Sequence, residues 1–251
     1  MRTPRSACMT ALTLALLLAA GFVVYAQLFL GLNLNTLRRV VFTNYAYASN
    51  LDIRLGIVRS EIAQAPSSGA VLVLGDSIVE GALWPAWCGS PPLNAGVSGA
   101  GALALDDFAA GWLDRSFDAI IVATGVNDAA RNRPIARTVF REALAHVLDK
   151  ARAKAGKVFV ATILPVEKHG VLGEAHFDND LIAAFNQEIR SLAADRGVEL
   201  IELYPLFVEQ GGSAMKPGAT LDGVHLTAES YRVWLGEVSR AVMAKRPCPA
   251  N

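Results

Sequence analysis

The sequence predicts an α/β fold in which helices cover both faces of a central parallel sheet, and two observations lead there. Compact apolar runs recur from Ala70 onward, at Val71-Leu72-Val73-Leu74, Ala119-Ile120-Ile121-Val122-Ala123, Val158-Phe159-Val160-Ala161 and Val198-Glu199-Leu200-Ile201. Between them lie longer stretches with apolar residues at helical spacing, Ala102 to Leu113, Ala136 to Lys154 and Asp178 to Asp195, and a last one runs from Thr227 to Lys245. Short, uniformly apolar strands are those buried on both faces, and strands alternating with helices build a parallel sheet. Ligands of such sheets bind beyond the carboxyl ends of the strands, so chemistry is to be sought in the loops that follow strands.

Taken in order, the chain opens on a short basic tail, residues 1–8, with Arg2 and Arg5. Met9 to Leu32 follows, with Gln27 as its one strongly polar residue, and this segment raises the hydrophobic content to 53%. About 20 apolar residues cross a bilayer, so residues 9–32 are expected to form a transmembrane anchor. A cleavable signal peptide, ending at Val24-Tyr25-Ala26, is the alternative. The anchor is preferred because the run exceeds the usual signal core of about 7 to 15 residues and continues through Leu28, Phe29 and Leu30. Either reading takes the domain out of the cytoplasm, to the periplasmic side as a single-pass protein or into the periplasm or medium after cleavage. Arg38, Arg39 and Arg54 nearly balance Arg2 and Arg5, so loop charge alone does not fix the orientation.

Residues 33–69 read as a juxtamembrane helix, with Leu51, Leu55, Val58 and Ile62 at helical spacing, and a linker broken at Pro66-Ser67-Ser68-Gly69. Residues 70–251 form the one remaining domain, large enough for a single core. The 23 basic and 23 acidic residues cancel without a long basic run, which excludes nucleic acid as a partner on electrostatic grounds. Of the three cysteines, Cys8 belongs to the amino-terminal segment; Cys88 and Cys248 are either a disulfide of an oxidising compartment or two unpaired thiols.

Four motifs carry possible chemistry. The first apolar run leads directly into Gly75-Asp76-Ser77, which sets a hydroxyl at a strand's carboxyl end where a helix starts. A helix start there would aim backbone N–H groups at a developing oxyanion, whereas the plain reading makes Ser77 a helix cap. Late in the chain, Asp222-Gly223-Val224-His225 precedes the last helix. An aspartate three residues before a histidine can fix the imidazole tautomer across a tight turn, although such a pair on a loop is also ordinary turn chemistry. At Thr124-Gly125-Val126-Asn127-Asp128, after the strand ending at Ala123, the Asn127 amide can donate to an oxyanion, while Asp128 reads as a helix cap. Asn94-Ala95-Gly96-Val97-Ser98-Gly99-Ala100-Gly101 is a glycine-rich loop after a short second strand, able to turn a backbone N–H the same way.

In this order and these settings, the four motifs resemble the four blocks of the SGNH (GDSL-type) hydrolase family, over roughly Val71 to Lys245. The resemblance implies a flavodoxin-like three-layer α/β/α sandwich that needs neither metal nor organic cofactor. It implies Ser77 as nucleophile, Asp222 and His225 as its partners, and an oxyanion hole made by the backbone N–H groups of Ser77 and Gly99 and the side-chain amide of Asn127. Ile78 follows the first block and Val126 stands where the third block often has glycine. Neither departure touches a catalytic atom.

The expected activity is serine-dependent hydrolysis of a carboxylic ester, on an acylated small molecule, lipid or glycan outside the cytoplasm. An O-acyltransferase with the same triad and a catalytically silent, membrane-tethered binding module are the rivals. Other features read more plainly. Gly96-Val97-Ser98-Gly99-Ala100 misses the Gly-x-Ser-x-Gly elbow at its last position, and the glycine spacing at 96, 99 and 101 does not fit a dinucleotide loop. His169 and His176 read as solvated loop residues, His146 as a helix-surface residue, and Trp84 and Trp87 as core packing rather than a substrate wall.

Overall fold

The computed structural model describes residues 50–66 and 68–248. The expected anchor at 9–32, its flanking tail and Cys8 lie outside the described residues, and no helix among those described is long and apolar enough to cross a membrane. A compact unit begins at Ile53 and contains the sheet and the candidate site.

Five strands form one parallel sheet: β1 (Val71–Gly75), β2 (Leu93–Gly96), β3 (Phe117–Ala123), β4 (Ala155–Ala161) and β5 (Glu199–Ile201). Their order is β2-β1-β3-β4-β5, the flavodoxin-like winding that reverses direction beside β1. The uniformly apolar run of β1 is explained by its place at the centre: all five of its residues are buried.

The helices fall in the expected stretches. Helix α1 covers residues 50–64; α2 is Ser77–Glu80, α3 Ala102–Trp112, α4 Arg137–Arg152, α5 Gly173–His176, α6 Asn179–Arg196, α7 Tyr204–Phe207 and α8 Ala228–Lys245. Local chemistry sets their ends. Asp178 caps α6 by accepting from the backbone N–H groups of Asp180 and Leu181, and Gly197 closes it in the left-handed conformation. Thr227 caps α8 by accepting from Ser230 N. Helix α1 buries Val58 and Ile62, and the Arg115 guanidinium donates to the carbonyls of Ile62 and Ala65 at its end.

Alternation along the strands splits the core into two layers. Val71, Val73, Ala119, Ile121 and Phe159 pack with Trp234, Val238 and Val242 of α8 on one face. Leu72, Leu74, Ile120 and Val122, which point the other way, are equally buried. Helices α3, α4 and α6 adjoin one another in that order, with α4 and α6 against β4. Trp84 and Trp87 belong to the packing, as expected. Trp84 lies against Trp87 and Trp234 with ring centroids 5.6 and 5.2 Å away, and Trp87 Nε1 donates to Ser239 Oγ of α8 at 3.1 Å. Cys88 and Cys248 form a disulfide, which resolves the two readings of these cysteines.

Candidate active site

The register of the sheet gathers the motifs. Gly75, at the end of β1, stands level with Gly96 of β2 on one side and Ala123 of β3 on the other. The loops that begin there carry Ser77, Gly99 and Asn127, so three segments far apart in sequence leave the sheet side by side at its carboxyl edge. The expected glycine-rich loop is partly strand: Asn94 to Gly96 belong to β2, and the turn proper begins at Val97. Its tightest part runs from Val97 to Ala100, whose N–H donates back to the Val97 carbonyl at 3.0 Å. Gly99 has φ of 79°, the value that the third residue of a type II turn requires and that glycine adopts without strain.

Ser77 is the first residue of α2 and only partly buried, and it does not cap that helix. Asp76 does, accepting from Ile78 N at 3.0 Å. Because α2 is a single turn, the aligned dipoles of a long helix are missing. The hydroxyl of Ser77 meets His225 Nε2 at 2.9 Å, and His225 Nδ1 meets Asp222 Oδ2 at 2.7 Å. The carboxylate thereby selects the tautomer with hydrogen on Nδ1 and leaves Nε2 free to accept from serine. Asp222 is itself anchored, since its Oδ1 accepts from the backbone N–H groups of Val224 and His225 at 3.0 and 2.9 Å. Partial burial would raise its pKa, but the His225 ring and the two backbone bonds outweigh this and hold it below the usual carboxylate value. The structure therefore brings Ser77, His225 and Asp222 into one hydrogen-bonded chain.

Asn127 opens a short 3-10 turn, Asn127–Ala129, and its Nδ2 donates to the Ala100 carbonyl at 3.0 Å. That bond ties the third motif to the glycine-rich loop and uses one of the two N–H groups of the amide. The adjacent Asp128 is a cap, though for a different helix than sequence order suggests: its Oδ2 accepts from Ala102 N at 2.8 Å, the first residue of α3. Gly101 is the residue that allows this, because any side chain there would run into the Asp128 carboxylate. Burial pushes the Asp76 carboxyl up to about 7 and the Asp128 carboxyl up to about 6.

Two acidic side chains escaped the sequence reading. Glu80, on α2, accepts from both the N–H and the hydroxyl of Ser98. Glu167, after β4, accepts from the N–H and hydroxyl of Thr220, and Thr220 Oγ1 accepts from Gly223 N at 2.8 Å. Sequence offers little signal for either, since each partner is a backbone N–H of a distant loop. His169 and His176 are exposed, as expected, and His146 is exposed on α4 with Nδ1 3.4 Å from Asp106. Among the described residues no group of three or more His, Cys, Asp or Glu is placed to hold a metal ion. A cavity of about 670 Å³ lined by Trp87, Asp118 and Arg246 opens at the amino ends of the strands and contains none of these reactive groups.

The family model of the GDSL-like lipase/acylhydrolase family matches residues 73–233. A proposed platelet activating factor from Streptococcus pneumonia shares the fold at 20% identity and a TM-score of 0.70, covering 83% of this chain and 98% of that one. A GDSL-like lipase from Bacteroides thetaiotaomicron follows at 20% identity and 0.63, covering 76% and 98%. The lipase/acylhydrolase from Enterococcus faecalis has 19% identity and 0.59, covering 72% and 99%. At such identities the likeness speaks to the fold. No curated relative matches the chain.

Proposed function

Because the chain belongs to the GDSL-like lipase/acylhydrolase family of ester-bond hydrolases, we propose that Ser77 is its nucleophile, His225 its general base and Asp222 the group that orients and stabilises the imidazolium. The observation that carries this reading is the continuous chain from Ser77 Oγ through His225 to Asp222, at 2.9 and 2.7 Å. His225 takes the serine proton as Oγ attacks the acyl carbonyl, and it returns that proton to the leaving alkoxide. The backbone N–H groups of Ser77 and Gly99 and the remaining N–H of Asn127 receive the oxyanion; losing one such donor costs about 10²–10³ in kcat. Water then attacks the acyl-enzyme, His225 accepting its proton and passing it to Ser77 Oγ as the ester bond breaks, which releases the acid and restores the enzyme.

The acyl class of substrate is supported by Val171 and Leu221, both strongly exposed aliphatic residues. Leu221 precedes Asp222, and Val171 precedes Leu172, whose N–H donates to the Asp222 carbonyl at 2.7 Å. The domain is read as working outside the cytoplasm, on an acylated lipid or envelope glycan, tethered through residues 9–32. The apolar run of that segment and the Cys88–Cys248 disulfide support this placement. Ser77→Ala should abolish hydrolysis of a short p-nitrophenyl ester and labelling by a fluorophosphonate, without loss of fold by circular dichroism. Turnover that survives in this variant would overturn the assignment.

A further inference from the structure

We infer that Glu80, braced by Arg54, is a positioning residue that fixes the Gly99 turn against the helix carrying Ser77; the inference rests on the roles of Ser77 and Gly99 proposed above. Glu80 lies three residues after Ser77 on a one-turn helix, so the two side chains' positions are rigidly linked. Its Oε2 accepts from Ser98 N at 2.6 Å and from Ser98 Oγ at 2.7 Å. The Val97–Ala100 turn satisfies Ala100 N internally and Ser98 N through Glu80. The intervening Gly99 N–H is the one assigned to the oxyanion.

Arg54 holds the strand that leads into this turn. Its Nε donates to the Gly96 carbonyl at 2.8 Å and its Nη2 to the Asn94 carbonyl at 2.7 Å, and its guanidinium lies 3.8 Å from Glu80 Oε1. Asn94 returns the connection, with Nδ2 donating to the carbonyls of Val79 and Glu80 at 2.9 and 3.1 Å. Arg54 belongs to α1, which precedes the family-matched segment 73–233, so a helix outside that segment supports the site.

The physical need is clear from the loop's composition. A glycine turn has the largest backbone freedom to lose, and an oxyanion donor misplaced by about 1 Å loses much of its effect. Charge-assisted bonds from Ser98 to a carboxylate are about twice as strong as neutral ones, and they hold the turn in one orientation. The Glu80 side chain is one-third exposed, so its removal leaves no hole in the core.

Glu80→Ala should therefore lower kcat on a short p-nitrophenyl ester about 10- to 100-fold, a fraction of what a lost oxyanion donor costs, with KM changed less than about threefold. Affinity for an alkyl boronic acid, which forms a tetrahedral adduct on the serine, should fall in parallel. Glu80→Gln keeps an acceptor for Ser98 N and should recover most of the rate. Arg54→Ala, with Glu80 intact, should lower kcat severalfold with the same pattern, and it tests the device if Glu80→Ala does not fold. Folded Glu80→Ala with unchanged kcat and boronate affinity overturns the proposal, as does an equal loss in Glu80→Ala and Glu80→Gln. A wild-type rate in Ser77→Ala would overturn the underlying assignment instead, and so separates the two failures.

Discussion

Asp76 shows how one residue serves the fold and the chemistry at a cost set by pH. It sits between the strand and Ser77, accepts from Ile78 N, and is almost completely buried. Burial is the main reason its carboxyl rises to about 7; the Ile78 bond opposes the rise and the nearby Asp128 adds to it. A carboxyl whose folded pKa lies above its unfolded value keeps a proton that the unfolded chain gives up between those values. Its contribution to stability is thus greatest below about pH 4 and declines as pH rises toward 7. Asp222 acts in the opposite sense, because its pKa is lowered; its contribution is present above the unfolded value and is lost as pH falls through the folded one. The Tm should accordingly fall between about pH 4 and 7. Asp76→Asn keeps an acceptor for Ile78 N and a side chain that caps as well as aspartate. Calorimetry across that range should show a shallower decline for Asp76→Asn, and an identical slope would remove Asp76 as its source.

At the level of elements, His225 and Asp222 ride on a turn that has no regular structure of its own. That turn is held by the segment after β4. Glu167 Oε1 accepts from Thr220 N at 2.6 Å and from Thr220 Oγ1 at 2.8 Å, Glu167 N donates to the Gly223 carbonyl at 2.9 Å, and Leu172 N donates to that of Asp222. The two backbones lie so close that a side chain at Gly170 or Gly223 would strike the facing chain. Glu167→Ala frees the amide and hydroxyl of Thr220, so His225 should sample orientations away from Ser77. A drop of about 10-fold or more in kcat is expected, with a Tm lower by a few degrees, since a lost charged bond costs about 1.5–3 kcal/mol. A stopped-flow measurement showing slow acylation in this variant would locate the effect at the serine attack; acylation at the wild-type rate would refute it.

The same pair of segments shows where sequence stops being legible. The strands and the long helices were readable because their patterns are local, a uniform apolar run or a 3.6-residue period. Ser77, Gly99, Asn127, Asp222 and His225 stood out because each is a distinctive residue type next to a strand end or a helix start, and their joint role was what the family resemblance implied. Glu80, Arg54 and Glu167 were not, because their partners are backbone groups 18, 42 and 53 residues away. No spacing rule encodes such contacts; they exist only once the sheet has set the loops side by side. Asp128 failed in a related way, its capping role being plain but the helix it caps being set by the fold.

For the whole molecule, the decisive separation is between the two ends of the sheet. Ser77, Gly99 and Asn127 lie in the loops that leave the carboxyl ends of the strands, and His225 meets Ser77 there. The Cys88–Cys248 disulfide lines the cavity at the amino ends, where it pins the end of α8 to the loop that carries Trp84 and Trp87. The two cysteines are 160 residues apart, so the bridge encloses β2 to β5, every strand but β1. Closing a loop of that size removes unfolded-state entropy worth about 5 kcal/mol by the chain model, and bridges typically deliver about 2–4 kcal/mol. Reduction, or the pair Cys88→Ser and Cys248→Ser, should thus lower Tm by about 10 °C for a domain of this size. Trp87 remains packed and bonded to Ser239, so the native state need not rearrange. The rate constant for a short ester at 25 °C should stay within about twofold of wild type, because no member of the Ser77–His225–Asp222 chain touches the bridge. Thermal melts and initial rates measured with and without reductant separate these effects. A large loss of activity at an unchanged Tm would show instead that the amino ends of the strands are coupled to the chemistry at the carboxyl ends.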